Sequence, residues 1–263
     1  MRSRLSASPS WLQPAQASVT LRCMIAELQS VCVDIGERRI LHDIDLAIPE
    51  QTIVAAIGAS GSGKSTLLRL LNGLQTATSG TILRNGQPLA AESLRDIRFR
   101  TGYALQQIAL LPHMSVRSNI ELPMKIAGRD PEAIATRVIA LSQRMQLTES
   151  QLSRYPSELS GGQQQRAGIC RALALAPELL LLDEAFSGLD AITRSDTHAQ
   201  FLDMRNDEIN SCLLVTHDLA EAKRLADYFV ILSDGRIVRQ GRKHEVLADP
   251  QDAYAARLIE QCL

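Results

Sequence analysis

The stretch Gly58–Ser65 carries the clearest chemistry in the chain. It fits the phosphate-binding pattern GxxxxGK[ST], between the apolar stretch Thr52–Ile57 and the helical stretch Leu67–Leu71. In such a loop, backbone N–H groups close around phosphates, Lys64 reaches the β- and γ-phosphates, and the Ser65 hydroxyl ligates Mg²⁺. A glycine-rich turn could match by chance, but the flanking strand and helix favour phosphate binding. The residues predicted to contact the phosphate chain are Gly58, Ala59, Ser60, Gly61, Ser62, Gly63, Lys64, Ser65 and Thr66.

Two carboxylates end the apolar run Leu179–Leu182, which is short and unbroken, as a buried parallel strand should be. We expect Asp183 to hold the Mg²⁺ shell, directly or through water. Glu184 is expected to polarise the attacking water as general base, a role worth about 10²–10⁴ in rate. The alternative is a strand end with two solvated acids, which the phosphate loop upstream disfavours.

A histidine, His217, follows a second apolar strand candidate, Cys212–Thr216. The ends of parallel strands in α/β sheets face the ligand crevice, so this imidazole could hydrogen-bond a γ-phosphate or the attacking water. A lone histidine is more often structural, and the catalytic assignment therefore depends on the neighbouring motifs.

A Ser-Gly-Gly turn enters a polar, helix-forming run within Leu159–Arg166. Such a helix start leaves backbone N–H groups unpaired, and the aligned peptide dipoles favour negative charge there. An ordinary helix cap is the alternative, and the stretch becomes decisive only beside the phosphate loop. The predicted anion-binding residues are Ser160, Gly161, Gly162 and Gln163.

The composition excludes several classes of protein. The 263 residues carry a formal net charge of −1 and 3% aromatic residues, which disfavours nucleic acid as a partner. The five cysteines contain no CxxC pair, which argues against a disulfide framework or a zinc site and suits a reducing cytoplasm. No apolar run reaches the roughly 18–20 residues of a membrane-spanning helix.

Residues 1–23 differ from the rest of the chain, with several arginines and serines and no acidic residue before Glu27. We expect a disordered or non-native extension, either a transit peptide or the product of a start codon placed upstream of Met24. The folded domain is expected to span residues 24–263.

Strand patterns dominate after Met24, and they give way to helical spacing over residues 106–160, a compact helical insertion. Asn85-Gly86 is a hairpin turn signal. The predicted strands are Ile25–Val33, Ile44–Ile48, Thr52–Ile57, Gly80–Leu83, Thr101–Leu105, Leu179–Leu182, Cys212–Thr216, Phe229–Leu232 and Arg236–Arg239. The predicted helices, besides the one after the phosphate loop, are Val116–Ala127, Ala133–Met145, Gln163–Leu175, Leu219–Ala226 and Asp252–Cys262.

In their order along the chain, the phosphate loop, the stretch Leu159–Arg166, the Asp183-Glu184 strand end and the His217 strand end resemble the nucleotide-binding subunit of ABC transporters. The resemblance covers essentially everything from Met24 onward. It implies an α/β fold of the P-loop NTPase type, with a mostly parallel core sheet, an N-terminal antiparallel β subdomain and an inserted α-helical subdomain. It also implies roles for two further residues. Gln106 matches the glutamine that senses Mg²⁺ and the γ-phosphate and contacts the membrane partner. Asp190 matches a loop that crosses the dimer interface, with Gly188 where alanine is usual.

The same resemblance implies the ligands and the partners. The cofactors are ATP and Mg²⁺, and each ATP lies between the phosphate loop of one subunit and Ser160, Gly161 and Gly162 of another. That second subunit is a copy of this chain or a paralogous ATPase subunit. The other implied partners are membrane permease subunits and a solute-binding protein, which would hold the chain at the cytoplasmic face of the plasma membrane.

The chain departs from the family pattern at one position. Members of the family usually carry an aromatic residue ahead of the phosphate loop that stacks on adenine, and Ile35 occupies that position here. Stacking of a base on an aromatic ring is worth about 1–3 kcal/mol. Isoleucine should recover only part of that, so we expect weakened adenine binding.

The segments Gln106–Met114, Arg154–Glu158 and Asp183–Ser187 resemble those of importers for osmolytes such as glycine betaine, choline and proline. Importers of amino acids, nitrate, taurine or phosphonate share these motifs and stay open, as does export. A soluble ABC ATPase would normally show two cassettes or a long coiled coil. A regulator without turnover would lack Glu184 or His217, and both are present.

Overall fold

The computed structural model describes residues 23–105 and 109–260. Two predictions fall outside these residues: the N-terminal extension, apart from Cys23, and the position of Gln106. The predicted last helix, Asp252–Cys262, lies inside them up to Glu260.

The strands form two sheets, one of four strands in the order β2-β1-β4-β5 and one of six in the order β10-β9-β3-β8-β7-β6. The strands are β1 (Met24–Ile35), β2 (Arg38–Pro49), β3 (Ile53–Ile57), β4 (Ser79–Arg84), β5 (Gln87–Pro88), β6 (Thr101–Ala104), β7 (Leu179–Asp183), β8 (Cys212–Thr216), β9 (Tyr228–Ser233) and β10 (Arg236–Arg242).

The six-stranded sheet is the core. Strand β3 pairs in parallel with β8 and β9, β7 pairs in parallel with β8 and β6, and β10 adds an antiparallel edge. Strands β3, β7 and β8 are buried along their whole length, because both faces of the sheet are covered by other elements. This arrangement confirms the predicted mostly parallel core sheet.

The four-stranded sheet is antiparallel throughout, as the predicted N-terminal β subdomain requires. Its β4–β5 hairpin turns at Asn85 and Gly86, which both have positive φ, 48° and 75°. Two positive φ values are the signature of a type I′ turn, whose twist matches that of the flanking strands. The predicted hairpin is therefore confirmed.

The helices are α1 (Lys64–Leu71), α2 (Leu94–Phe99), α3 (Val116–Ile126), α4 (Pro131–Arg144), α5 (Glu149–Leu152), α6 (Gly161–Leu173), α7 (Ala191–Asp203), α8 (Leu219–Leu225), α9 (Lys243–Ala248) and α10 (Ala253–Glu260). Within residues 109–160 the structure describes helices and no strand, and α6 packs on both α3 and α4. The predicted helices match these bounds to within a few residues, whereas α2, α5, α7 and α9 were not predicted.

The topology brings the ends of three neighbouring strands to one edge of the core sheet. The phosphate loop follows β3, Asp183 and Glu184 end β7, and His217 follows β8. Because β3, β8 and β7 are adjacent and parallel, all three motifs meet at the same edge.

Candidate functional site

The phosphate loop is closely packed on its outer side. A Cβ atom on Gly58 would lie 2.2 Å from the carbonyl oxygen of Leu232, and one on Gly63 would lie 2.5 Å from Leu41 Cδ2. Gly63 also has φ 102° and caps α1 without any side-chain hydrogen bond. Only glycine fits these positions, and the N–H groups at the start of α1 are left for a ligand.

Lys64 is buried and turned back onto its own loop. Its Nζ donates to the carbonyl oxygens of Gly58 at 2.7 Å and Ala59 at 2.8 Å. Burial lowers the pKa of this ammonium, although the carboxylates of Glu184 and Asp183 act in the opposite direction. Beside it, Ser62 Oγ is buried without a hydrogen-bond partner among the described residues. A desolvated cation, an orphaned hydroxyl and free N–H groups together fit a polyphosphate.

Ser65 and Asp183 supply two oxygen atoms at the same place. The Ser65 hydroxyl donates to Asp183 Oδ1 at 3.2 Å. Burial raises the pKa of the Asp183 carboxyl, and the nearby Glu184 carboxylate acts in the same direction. Oxygen donors from a hydroxyl and a single carboxylate, completed by phosphates and water, are the set that Mg²⁺ prefers. These two residues therefore fit Mg²⁺, which would neutralise phosphate charge when bound.

Glu184 and His217 lie side by side, with 3.2 Å between His217 Nδ1 and Glu184 Oε1. Glu184 has φ 47°, a left-handed conformation that is uncommon outside glycine. Three hydrogen bonds hold it there: its N–H donates to the Val215 carbonyl, and its own carbonyl accepts from the N–H and hydroxyl of Ser187. The carboxylate is thus aimed at the imidazole by a fixed backbone, which a general base needs.

A cavity of about 900 Å³ is lined by Lys64, Ser65, Glu184 and His217, whereas Ser62 and Asp183 are not among its lining residues. The phosphate loop forms one wall, and Glu184 and His217 form another. The start of β2 contributes Arg38, Arg39 and His42, which the sequence did not single out. The volume is that of a small-molecule site.

Ile35 ends β1 and is 49% exposed. Its neighbour across the β1–β2 hairpin is Arg38. Arg38 and the next two residues line the cavity, and Ile35 is not among the described residues that do so. The role assigned to Ile35 in adenine binding stays a prediction.

The signature segment, residues Ser160–Gln163, begins α6, and its first and last residues hydrogen-bond to each other. Ser160 Oγ accepts from the Gln163 N–H at 3.3 Å, and Gln163 Oε1 accepts from the Ser160 N–H at 3.0 Å. Ser160 and Gly161 are exposed, and a Cβ on Gly161 would meet open space. Within the described chain, the cavity at the phosphate loop is lined by none of these residues.

Asp190 caps α7 by accepting hydrogen bonds from the N–H groups of Ile192 and Thr193. Hydrogen bonds from Thr193, first from its side chain and then from its N–H, lower the pKa of the Asp190 carboxyl. The loop before it is tied to the histidine region by Arg194, which donates to the Leu189 carbonyl at 2.9 Å and to Asp218 at 3.4 Å. Arg194 could not be found from sequence patterns, because it lies in a polar stretch without a motif.

Tyr103 is a second residue that the sequence did not assign. It precedes the predicted glutamine loop on β6, next to β7. Burial, together with the neighbouring Asp183 carboxylate, raises the pKa of its phenol to about 12. The phenol therefore stays protonated and neutral beside the Mg²⁺ candidate site.

The fold and the cavity define a class: an α/β protein with a phosphate loop at the end of a parallel strand and a carboxylate–imidazole pair beside it. A family model described as ABC transporter matches residues 41–187. Curated relatives that are similar over most of the chain have names that indicate the same family as this model. The chain belongs to the ABC transporter family.

Among the curated relatives, the carnitine transport ATP-binding protein OpuCA of Listeria monocytogenes is 39% identical over 224 residues, 85% of this chain and 56% of its own length. The glycine betaine/carnitine/choline transport protein OpuCA of Bacillus subtilis is 38% identical over 85% of this chain and 59% of its own length. The sulfate/thiosulfate import ATP-binding protein CysA of Synechococcus elongatus is 38% identical over 89% of this chain and 67% of its own length. The chain spans less than two thirds of the length of the two OpuCA proteins.

Two solved structures share the fold. A dimeric, post-hydrolysis state of the ATP-binding cassette MJ0796 with ADP and Pi has a TM-score of 0.75 at 29% identity, covering 82% of this chain and 98% of that one. The cbiO1 protein of Clostridium perfringens has a TM-score of 0.79 at 26% identity, covering 87% and 92%. Within residues 23–105 and 109–260, no helix has the length and apolar character needed to cross a membrane.

Proposed function

We propose that this chain is the ATP-binding and ATP-hydrolysing subunit of an ABC importer, acting through a separate membrane permease. One observation carries the proposal: Lys64, Ser65, Glu184 and His217 line one cavity of nucleotide size. Family membership supports the coupling to transport.

In the proposed reaction, the loop N–H groups and Lys64 bind the β- and γ-phosphates. Lys64 gives up part of its contact with the Gly58 and Ala59 carbonyls and places its charge on the anion. Glu184 takes the proton of the water whose oxygen attacks the γ-phosphorus, the bond from the γ-phosphorus to the β–γ bridging oxygen breaks, and ADP and phosphate are the products. His217, already 3.2 Å from that carboxylate, hydrogen-bonds the γ-phosphate or the water. Ser65 and Asp183 would hold Mg²⁺, with Gln106 expected in the same shell, and the ion would neutralise charge on the phosphates.

The functional unit in this proposal is a pair of subunits. Within the described chain, no residue of the signature segment lines the cavity at the phosphate loop. In a head-to-tail pair, Ser160, Gly161 and Gly162 of a second copy or a paralogous subunit cover the γ-phosphate, and Asp190 lies at the interface. A dimeric relative in the post-hydrolysis state supports this arrangement.

For the cargo, we infer a small osmolyte of the quaternary-amine type, with the chain bound to its permease at the cytoplasmic face of the membrane and served by a solute-binding protein. Relatives described as transporting carnitine, choline and glycine betaine support this choice. The methionine import protein MetN 1 of Rhodopseudomonas palustris, 41% identical, and the sulfate relative favour the alternative of another small solute. Permease-coupled uptake of methionine or sulfate, but not of glycine betaine, would decide for that alternative.

The hydrolytic role is tested by Glu184→Gln. Removing the general base should lower the ATPase rate by about 10²–10⁴, with the ATP dissociation constant nearly unchanged because the phosphate loop is intact. Steady-state phosphate release and isothermal titration calorimetry measure the two quantities. Glu149→Gln is the matched control, since Glu149 is an exposed partner of Arg117 far along the helical segment. Equal hydrolysis rates in wild type and Glu184→Gln would remove the enzymatic assignment.

A further inference from the structure

The phosphate loop has a partner from the far end of the described chain. The Ala59 N–H donates to Tyr254 Oη at 2.8 Å, across 195 residues of sequence. This N–H belongs to the same peptide group as the Gly58 carbonyl, which accepts from Lys64 Nζ at 2.7 Å. In a trans peptide the N–H and C=O point in opposite directions. One planar group is therefore held from both sides, by a phenol and by the ammonium that binds phosphate.

The phenol is anchored independently of the loop. Tyr254 is the second residue of α10, and Asp252 caps this helix by accepting from the N–H groups of Tyr254 and Ala255. Ala255 and Ile259 of α10 are buried in the core, and Tyr254 itself packs against the same core cluster. The packing of α10 on the core therefore fixes the position of the Tyr254 hydroxyl independently of the phosphate loop.

We propose that Tyr254 is a positioning residue for nucleotide binding, whose hydroxyl fixes the orientation of the Gly58–Ala59 peptide. The inference rests on the proposed function only in that the loop binds ATP. When Lys64 turns toward a phosphate, it releases one side of this peptide, and the Tyr254 hydroxyl keeps the other side in place. The loop then stays in the shape that receives the phosphates, and no ordering cost is added on binding.

This contact also joins α10 to the nucleotide energetically. Because coupling between two sites is reciprocal, bound ATP makes α10 harder to displace, and displacement of α10 weakens ATP binding. The C-terminal helix is therefore part of the nucleotide site, although it contributes no motif residue.

The test compares full-length wild type with Tyr254→Phe, which removes a single hydroxyl. Loss of one net hydrogen bond corresponds to about a fivefold weaker dissociation constant for Mg²⁺-ATP. We expect that change by isothermal titration calorimetry, a similar rise in KM, an unchanged kcat, and faster hydrogen exchange of the Ala59 amide by NMR. The control Ile259→Val removes one buried methylene group from α10 without displacing the helix and keeps the hydroxyl, so it should leave both the ATP affinity and the Ala59 amide unchanged.

A double-mutant comparison isolates the hydrogen bond between Ala59 and Tyr254. Ala59→Pro removes the N–H donor, so adding Tyr254→Phe to it should produce no further loss of ATP affinity. Unchanged affinity and exchange in Tyr254→Phe alone, or the same fivefold loss in both backgrounds, would overturn the assignment of Tyr254. Failure of the wild type to bind ATP, or full binding by Lys64→Ala, would instead overturn the proposed function of the loop.

Discussion

Two glycine-rich helix starts, the phosphate loop and the signature segment, differ in how far the chain completes them. Gly63 caps α1 with no side chain, while Ser160 and Gln163 cap α6 with a reciprocal pair of hydrogen bonds. The first start opens into a cavity with Glu184 and His217, and the second faces solvent. The same local chemistry thus produces a site in one place and half of a site in the other.

The phosphate loop and the signature segment also differ in how deeply their functional residues are buried. Lys64 is desolvated, which lowers the pKa of its ammonium, and a nearby phosphate would restore what the lost water supplied. Ser160 and Gly161 keep their water in the described chain. The phosphate loop should therefore bind ATP in a monomer, and the signature segment should add its contacts only after two subunits close.

The largest loss of function at the phosphate loop is expected from Lys64→Ala. Hydrogen bonds to charged groups contribute about 1.5–3 kcal/mol each, so losing the lysine's contacts to two phosphates should weaken ATP binding about 100-fold or more. The fold should persist, because the substitution also removes a buried charge. Titration calorimetry and a thermal melt measure the two effects, with the exposed Lys125→Ala as the control. ATP binding within threefold of wild type would refute the role of Lys64.

Ser160→Arg should disrupt the signature segment without affecting the phosphate loop. A long cation at this exposed helix start should obstruct the partner's nucleotide, so dimer closure should fail while ATP binding to the monomer stays within about twofold. The measurement is sedimentation velocity with ATP in the Glu184→Gln background, where hydrolysis does not disperse the dimer. Ser150→Arg places the same charge at an exposed position of α5 and should leave dimerisation intact. A dimer that still forms with Ser160→Arg would contradict the two-chain site.

The core sheet and its motifs could be predicted because their signals are local. Strand β8 has the predicted bounds, Cys212–Thr216, since an unbroken apolar run is what a strand buried on both faces requires. The phosphate loop, Glu184 and His217 follow such runs directly. Parallel pairing of adjacent strands then brings them together without further information.

Helix α7 could not be predicted from hydrophobic periodicity, because its buried side is largely polar. Thr197, His198 and Gln200 are buried on it beside Phe201. His198 bonds Glu221 of α8 at 3.1 Å, so a polar residue satisfies the core position that apolar spacing would mark. Helices α2 and α9 have only six residues each, too short for a 3.6-residue pattern to stand out.

The cavity wall from β2 and the contact from Tyr254 escaped prediction for another reason. Arg38 and Arg39 read as an exposed, charged strand start, and Tyr254 reads as one residue of a terminal helix. The phosphate loop that lines the cavity together with Arg38 and Arg39 follows another strand, β3, and the Tyr254–Ala59 pair is 195 residues apart. Contacts of that range come from tertiary packing, which no local spacing encodes.

The smallest expected effect is a change in ATP affinity from a substitution at the end of β1, beside the phosphate-loop site. Ile35→Tyr places an aromatic ring at the exposed end of β1, where the family resemblance assigns adenine. Since a stacked base is worth about 1–3 kcal/mol relative to alanine, and isoleucine retains part of that, ATP should bind about fivefold more tightly. Titration calorimetry with ATP, and with ribose triphosphate as a ligand that lacks the base, measures the gain. Ile126→Tyr, at another exposed isoleucine, should change neither. An unchanged affinity in Ile35→Tyr would mean that the base lies over the arginines of β2 and not over β1.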